Sequence, residues 1–264
     1  MFQMLQVMSL KTHPLKYSIH TRLREFHLKR LFPNSPNGRL LDVGCGLGYL
    51  TKALGNDYCC VGLEYDINAL KVNRDADLRN MVHGHATKLP FSEKSFDIVI
   101  CSEVLEHLPE KQDEKVLLEM ARVLKPGGHL LVTVPSLEGI RANSKFRNLG
   151  HDDPNGGEYH YRIGYSWKEM KALIERIPLL KLKKMRYAMF FFSELFMDAV
   201  KWIYFKKNKL KEHSDLIGLN DSLLFRLYRF FFPLIWIFFV CEEMVLSRFL
   251  KGHILIISLE RTEK

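Results

Sequence analysis

The stretch LLDVGCGLGYLTKAL, residues 40–54, constrains the fold most: a short apolar run ends in an acid, three glycines alternate, and a helical pattern begins. A strand ending in Asp42 and followed by Gly44, Gly46 and Gly48 lets the backbone pass close to a ligand at the carboxyl edge of a sheet. The dinucleotide fingerprint spaces its glycines G-x-G-x-x-G. Here they run G-x-G-x-G with Tyr49 next, so the third is displaced. Taken alone, the turn leaves ligand binding and simple structural tightness both open.

The surrounding pattern sets the fold class. Strand-length apolar runs at Leu40–Val43, Tyr58–Leu63, Asn80–His83, Phe96–Cys101 and His129–Val134 alternate with helical patterns after the first, second, fourth and fifth. That alternation implies a parallel sheet wound on both faces. A leading amphipathic helix is expected over 15–31, with Leu15, Ile19, Leu23, Phe26 and Leu31 near helical spacing. A helix from Gln112 to Leu124 should stop at Pro126, with Gly127 or Gly128 turning the chain into the next strand. Residues 137–165 are long, polar and Gly-rich, which suits a substrate loop. A helix at Trp167–Ile177, capped by Ser166, follows.

The second strand adds chemistry. Glu64 stands 16 residues after Gly48, where a strand-tip acid can accept hydrogen bonds from ribose hydroxyls. The alternative is an ordinary surface acid; the upstream glycines favour an adenosine ligand.

Composition narrows the setting. Cys45, Cys59, Cys60, Cys101 and Cys241 form no C-x-x-C pair, which favours a reducing, cytoplasmic location without a disulfide or zinc framework. The first basic residue, Lys11, follows an uncharged start, so no export signal is read. The net charge of +9 is concentrated late: residues 181–264 carry 15 Lys/Arg against 9 Asp/Glu. The longest uncharged run, Phe230–Cys241, has 12 residues, short of the roughly 20 a spanning helix needs.

LLDVGCGLG, VGLEYD, ATKLPFSEKSFDIVICSEVLEHL and LKPGGHLLVTVPS resemble, in order and spacing, the successive motifs of class I S-adenosylmethionine-dependent methyltransferases, especially the type 11 group near the quinone-methylating enzymes. The resemblance covers residues 39–136. It implies an α/β, Rossmann-like, doubly wound sheet of seven mostly parallel strands, with S-adenosylmethionine as cofactor. It puts Asp42, Gly44, Cys45, Gly46 and Gly48 around the methionine part, Glu64 at the ribose and Tyr65 beside the adenine. The family commonly has an Asp at the position of His85; a neutral imidazole can accept the adenine amino bond through one nitrogen, and Ala86 and Thr87 can contribute through their backbone. Ser102, Glu103 and Val104 are implied to line the cofactor, with His107 one turn on.

Methyl transfer to a hydroxyl needs alignment and a base, for which a histidine suits neutral pH. His107, His160 and Tyr159 are the candidate catalytic residues; no metal site is expected. The absence of an Asn/Asp-Pro-Pro signature after the fourth strand argues against amino-group methylation of DNA bases.

The stretches LKLKKMRYAMFFF and GHILIISLERT read as the sixth and seventh strands, separated by an insertion, and 12 of the 18 phenylalanines lie between Phe190 and Leu250. Pro233 should kink or break its second helical segment. Apolar runs beside cations suit a helix in a membrane interface and are too apolar for a nucleic-acid groove. The expected organisation is a lead-in at 1–36, a methyltransferase core at 37–189, a helical, aromatic and basic insertion at 190–250 and a last core strand at 251–264. The expected substrate is a small or lipid-linked molecule, with the protein peripheral at the inner membrane face and its oligomeric state open. Two alternatives stand beside this: a soluble small-molecule enzyme with a dimerising insertion, and a non-catalytic methyltransferase-like partner protein, for which His85 is the motivating departure.

Overall fold

The apolar run before the glycines forms β1 (Arg39–Val43), buried at every position after Arg39. In the computed structural model it lies inside a sheet that also contains β2 (Cys59–Glu64), β3 (Met81–His83), β4 (Phe96–Ser102), β5 (Leu124–Pro135), β6 (Leu180–Ala188) and β7 (Ile254–Arg261). Their spatial order is β3-β2-β1-β4-β5-β7-β6. The pairs among β1 to β5 are parallel, and β7 runs antiparallel to both β5 and β6. The structure describes residues 17–33, 37–75, 80–109, 111–139, 161–196, 199 and 223–263.

The helices are α1 (Ile19–Lys29), α2 (Tyr49–Leu54), α3 (Ile67–Asp75), α4 (Gln112–Val123), α5 (Trp167–Glu175), α6 (191–196) and α7 (Leu223–Leu246), with a 3₁₀ turn at Leu105–His107. Successive strand side chains point to opposite faces, and both faces are apolar. Leu41, Val43, Val99 and Val132 join Val116, Met120 and Ile174 on one side. Leu40, Ile98, Ile100 and Ile256 join Ile19, Leu23, Phe232 and Phe239 on the other. The sheet is therefore covered on both faces, as the near-continuous apolar strands require.

Three local expectations change. Helix α4 ends at Val123, ahead of the proline, and the KPGG stretch lies within β5: Phe96 pairs with Leu124 but Ile98 with His129, so four residues bulge out of the ladder. Gly127 supplies the positive φ, 74°. Helix α5 stops two residues early, at Glu175, behind a capping box of Ser166 and Glu169. Helix α7 runs unbroken through Pro233. Its buried side, with Phe232, Phe239, Glu242 and Glu243, is anchored to the core along its length, and that packing holds a turn the proline alone would weaken. No helix among the described residues is long and apolar enough to cross a membrane.

Candidate active site

The chain steps outward from β1 to β3 and then crosses to β4 on the other side of β1. Ligands of open α/β sheets bind at such a reversal, outside the carboxyl ends of the strands. The glycine turn stands there. Gly44, Gly46 and Gly48 have φ of 71°, 51° and 70°, the left-handed region where a side chain is strained. A Cβ on Gly44 would come within 2.4 Å of Val104 Cγ2, whereas one on Gly46 would meet nothing within 4 Å. Gly44 thus secures packing, and Gly46 borders open space that a ligand can use.

The turn is held from both strands. Gly44 and Cys45 donate backbone bonds to Leu63 O at 2.8 and 3.0 Å, and Asn73, fully buried on α3, donates to Gly46 O at 2.7 Å. Asp42 is buried and accepts a 2.6 Å bond from Thr51 on α2. Burial raises its carboxyl to about 6, against the Thr51 bond pulling it down. Burial likewise pushes the Cys45 thiol up, and its Sγ lies 3.6 Å from Met81 Sδ.

Glu64 accepts from Gly46 N at 2.7 Å through one oxygen and from Tyr65 N and Asp66 N at 2.8 and 2.9 Å through the other. A carboxylate has about four acceptor positions. One is left for a ribose hydroxyl, and a second hydroxyl has to displace an N–H. Beside it the Tyr65 ring, 68% exposed, meets the rings of His83 and His85 at 6.3 and 5.2 Å. The acid, the open glycine and the exposed aromatic corner fit a nucleoside cofactor.

His85 departs from the expected adenine contact. Its Nδ1 accepts from Thr87 N at 3.2 Å and lies 2.8 Å from Thr87 Oγ1. A neutral ring in this arrangement carries its proton on Nε2, which makes that nitrogen a donor, unable to accept from an amino group. Ala86 is buried.

At the tip of β4, Ser102 Oγ lies 3.0 Å from Thr133 Oγ1, and the Thr133 hydroxyl lies 3.0 Å from Glu103 Oε1. Glu103 sits at φ 56°, a strained conformation for a side-chain residue that occurs where surrounding contacts enforce it; its N–H donates to Thr133 O at 3.0 Å. His107 closes the following 3₁₀ turn. Tyr159 and His160 lie outside the described residues, as does most of the loop at 137–165.

Several participants have no motif in the sequence. Arg24 on α1 reaches Ser102 Oγ at 3.5 Å, and Tyr49 donates to Glu25 at 2.7 Å. The leading helix thereby rests on both the glycine turn's helix and the β4 tip. Glu106 is 1% exposed and its Oε2 has no partner within the described protein; burial, reinforced by the charge of Glu103, holds its carboxyl well above the glutamate range. Burial thus favours the protonated form of Glu106. Basic residues on an amphipathic pattern normally face solvent, and nothing in the spacing marks Arg24 as an exception.

Strand order, glycine turn and strand-tip acid together define a class I methyltransferase fold with a site for S-adenosylmethionine. The family model described as a methyltransferase domain matches residues 41–132. Demethylmenaquinone methyltransferase of Listeria welshimeri is 36% identical over 148 residues, 50% of this chain and 61% of that enzyme. The 27-O-demethylrifamycin SV methyltransferase of Amycolatopsis mediterranei is 33% identical over 144 residues, 49% of this chain and 52% of that one. The chain thus spans between half and two thirds of these relatives. In structure it is similar to a methyltransferase of Thermotoga maritima (TM-score 0.58, 16% identity, covering 94% of this chain and 91% of that one). The [4+2]-cyclase SpnF is similar too (TM-score 0.58, 16% identity, 92% and 82%). A cyclase on the same frame shows that the fold does not by itself fix the reaction.

Proposed function

We propose that this chain transfers a methyl group from S-adenosylmethionine to an oxygen or carbon nucleophile of a membrane-associated or lipid-linked small molecule, a quinone precursor or a glycan. The cofactor supplies an electrophilic methyl group on its sulfonium. The chain's own residues hold the nucleoside through Glu64 and the glycine turn, keep water out under α1, and offer His107 as the base that takes the acceptor's proton. A quinone-type acceptor is supported by the name of the Listeria relative.

The observation that carries the membrane part is the outer face of α7. Leu223, Phe230, Leu234, Ile237, Phe238 and Phe249 in and just after this helix are each more than half exposed. Both acids in the helix, Glu242 and Glu243, are buried. The exposed cations Arg226, Arg248 and Lys251 stand near its two ends. An apolar face without exposed carboxylates, bracketed by cations, suits the boundary of an anionic bilayer. The same helix packs on α1, where Arg22 lies over Trp236 at 5.2 Å, so the apolar face and the cofactor site share one covering helix.

The test is to incubate the purified chain with methyl-tritiated S-adenosylmethionine and phase-separated extract of its own cells. Label in the organic phase is the expected result. Label confined to soluble metabolites, protein or RNA overturns the lipid assignment, and a folded sample that binds no S-adenosylmethionine by calorimetry overturns the enzyme.

A further inference from the structure

Three side chains from distant parts of the sequence converge beside the sheet's carboxyl edge. His20 lies in the first turn of α1, Glu194 on α6, and His253 one residue ahead of β7. Glu194 Oε1 is 2.8 Å from His20 Nε2 and 2.6 Å from His253 Nε2. All the donor atoms lie within 4.8 Å of one another. The imidazole rings are 5.5 Å apart and tilted by 49°, so they flank the carboxylate without stacking.

We propose that His20, Glu194 and His253 form a binding site for a divalent transition metal ion, with zinc the best match. Two imidazole nitrogens and one carboxylate oxygen are a borderline donor set that suits zinc and its neighbours and not calcium or magnesium, which take oxygen ligands. Three protein ligands leave a fourth tetrahedral position for water or an anionic oxygen. With metal–ligand bonds near 2.1 Å, tetrahedral donors stand about 3.4 Å apart. Binding therefore requires the carboxylate to withdraw from the two nitrogens by about 0.6–0.8 Å, a side-chain adjustment.

The frame around the trio is fixed. His253 N donates to Met189 O at 3.0 Å and Ser136 N donates to His253 O at 2.6 Å, which pins this residue between the ends of β5 and β6. Glu194 N donates to Phe190 O at 3.1 Å. His253 is 6% exposed, and the side chains of Glu194 and His20 are 14% and 23% exposed. The cluster is thus sheltered yet open on the His20 side. One ion there joins the leading helix, the insertion and the last strand, the three parts of the chain that flank the matched domain. Arg24, one turn beyond His20, is the residue that reaches Ser102, so the ion also fixes the helix that covers the site.

The inference does not depend on methyl transfer, and its test reads binding alone. The full chain, stripped with chelator, is titrated with Co²⁺ followed by visible absorption and with Zn²⁺ followed by calorimetry and melting temperature. Expected are one equivalent bound, nitrogen/oxygen-type cobalt bands without a thiolate charge-transfer band, and a rise in melting temperature. Affinity should fall at least tenfold in His253→Ala and in His20→Ala. Where His253→Ala fails to fold without metal, the less buried His20 position carries the comparison. Absence of binding, a thiolate band, or unchanged affinity in the folded His20→Ala variant overturns the site.

Discussion

His27 Nε2 on α1 lies 2.7 Å from Glu243 Oε2 on α7, with both side chains buried. The other Glu243 oxygen accepts from Met189 N at 2.8 Å, so one carboxylate ties the leading helix, the insertion helix and the end of β6. Glu243→Ala leaves an imidazole and a backbone N–H buried without partners. The expected cost is about 3 kcal/mol of stability, read as a lower urea midpoint. A loss below about 1 kcal/mol shows that water reaches the pair and that α7 is not anchored there.

The glycines of the turn should separate by phenotype. Gly44→Ala drives a Cβ into Val104 and should lower the melting temperature, with partial rescue by Val104→Ala. Gly46→Arg fills open space and should abolish S-adenosylmethionine binding, read by calorimetry. Its own strain at positive φ is about 1–2 kcal/mol, so the fold should survive. Tight binding retained by Gly46→Arg removes the cofactor from this turn.

Glu64 should matter more than its half-exposed position suggests. Replacement by Ala deprives the N–H groups of Gly46, Tyr65 and Asp66 of their shared acceptor and removes the ribose contact. S-adenosylmethionine affinity should fall 10- to 100-fold, about 1.4–2.8 kcal/mol, with Glu64→Gln in between because the amide keeps one acceptor oxygen. An unchanged dissociation constant in Glu64→Ala places the ribose elsewhere.

Much of this was legible from local pattern, and the reason is physical. Strands and the glycine turn are specified by residues close in sequence, through side-chain alternation and positive φ, so β1 to β7 and Gly44, Gly46 and Gly48 could be read directly. Partners far apart could not. His27 meets Glu243 and His20 meets Glu194 across most of the chain, and no spacing announces either pair. The bulge at KPGG escaped because a proline and two glycines look the same before a strand as within one. His85 was visible as a departure, but its tautomer depends on Thr87 folding back onto it.

Glu106 gives a pH signature with a definite sign. Its carboxyl is raised by burial and by Glu103, so the native state holds the proton where the unfolded chain has released it. Its contribution to stability is complete below the ordinary glutamate value of 4.5 and declines as pH climbs toward the folded value. Glu106→Gln stays neutral throughout. The variant should therefore gain stability relative to the parent chain as pH rises above 4.5, measured as the difference in urea midpoints. A difference independent of pH means that Glu106 is ionised in the folded protein.

The outer face of α7 yields the sharpest test of the membrane reading, because its side chains contribute little to folding. Phe230 and Leu234 are 77% and 67% exposed, so Phe230→Asp with Leu234→Asp should leave the melting temperature nearly unchanged. At a bilayer each apolar side chain gains about 1.5–3 kcal/mol on full burial. Losing both should cut binding to anionic phospholipid vesicles more than tenfold in a sedimentation assay, and salt should weaken the parent's binding because Arg226 and Arg248 contribute about 1 kcal/mol each near such a surface. If vesicle binding is absent in the parent chain and the double variant instead converts a dimer to a monomer, the face belongs to a second copy and the substrate need not be a lipid.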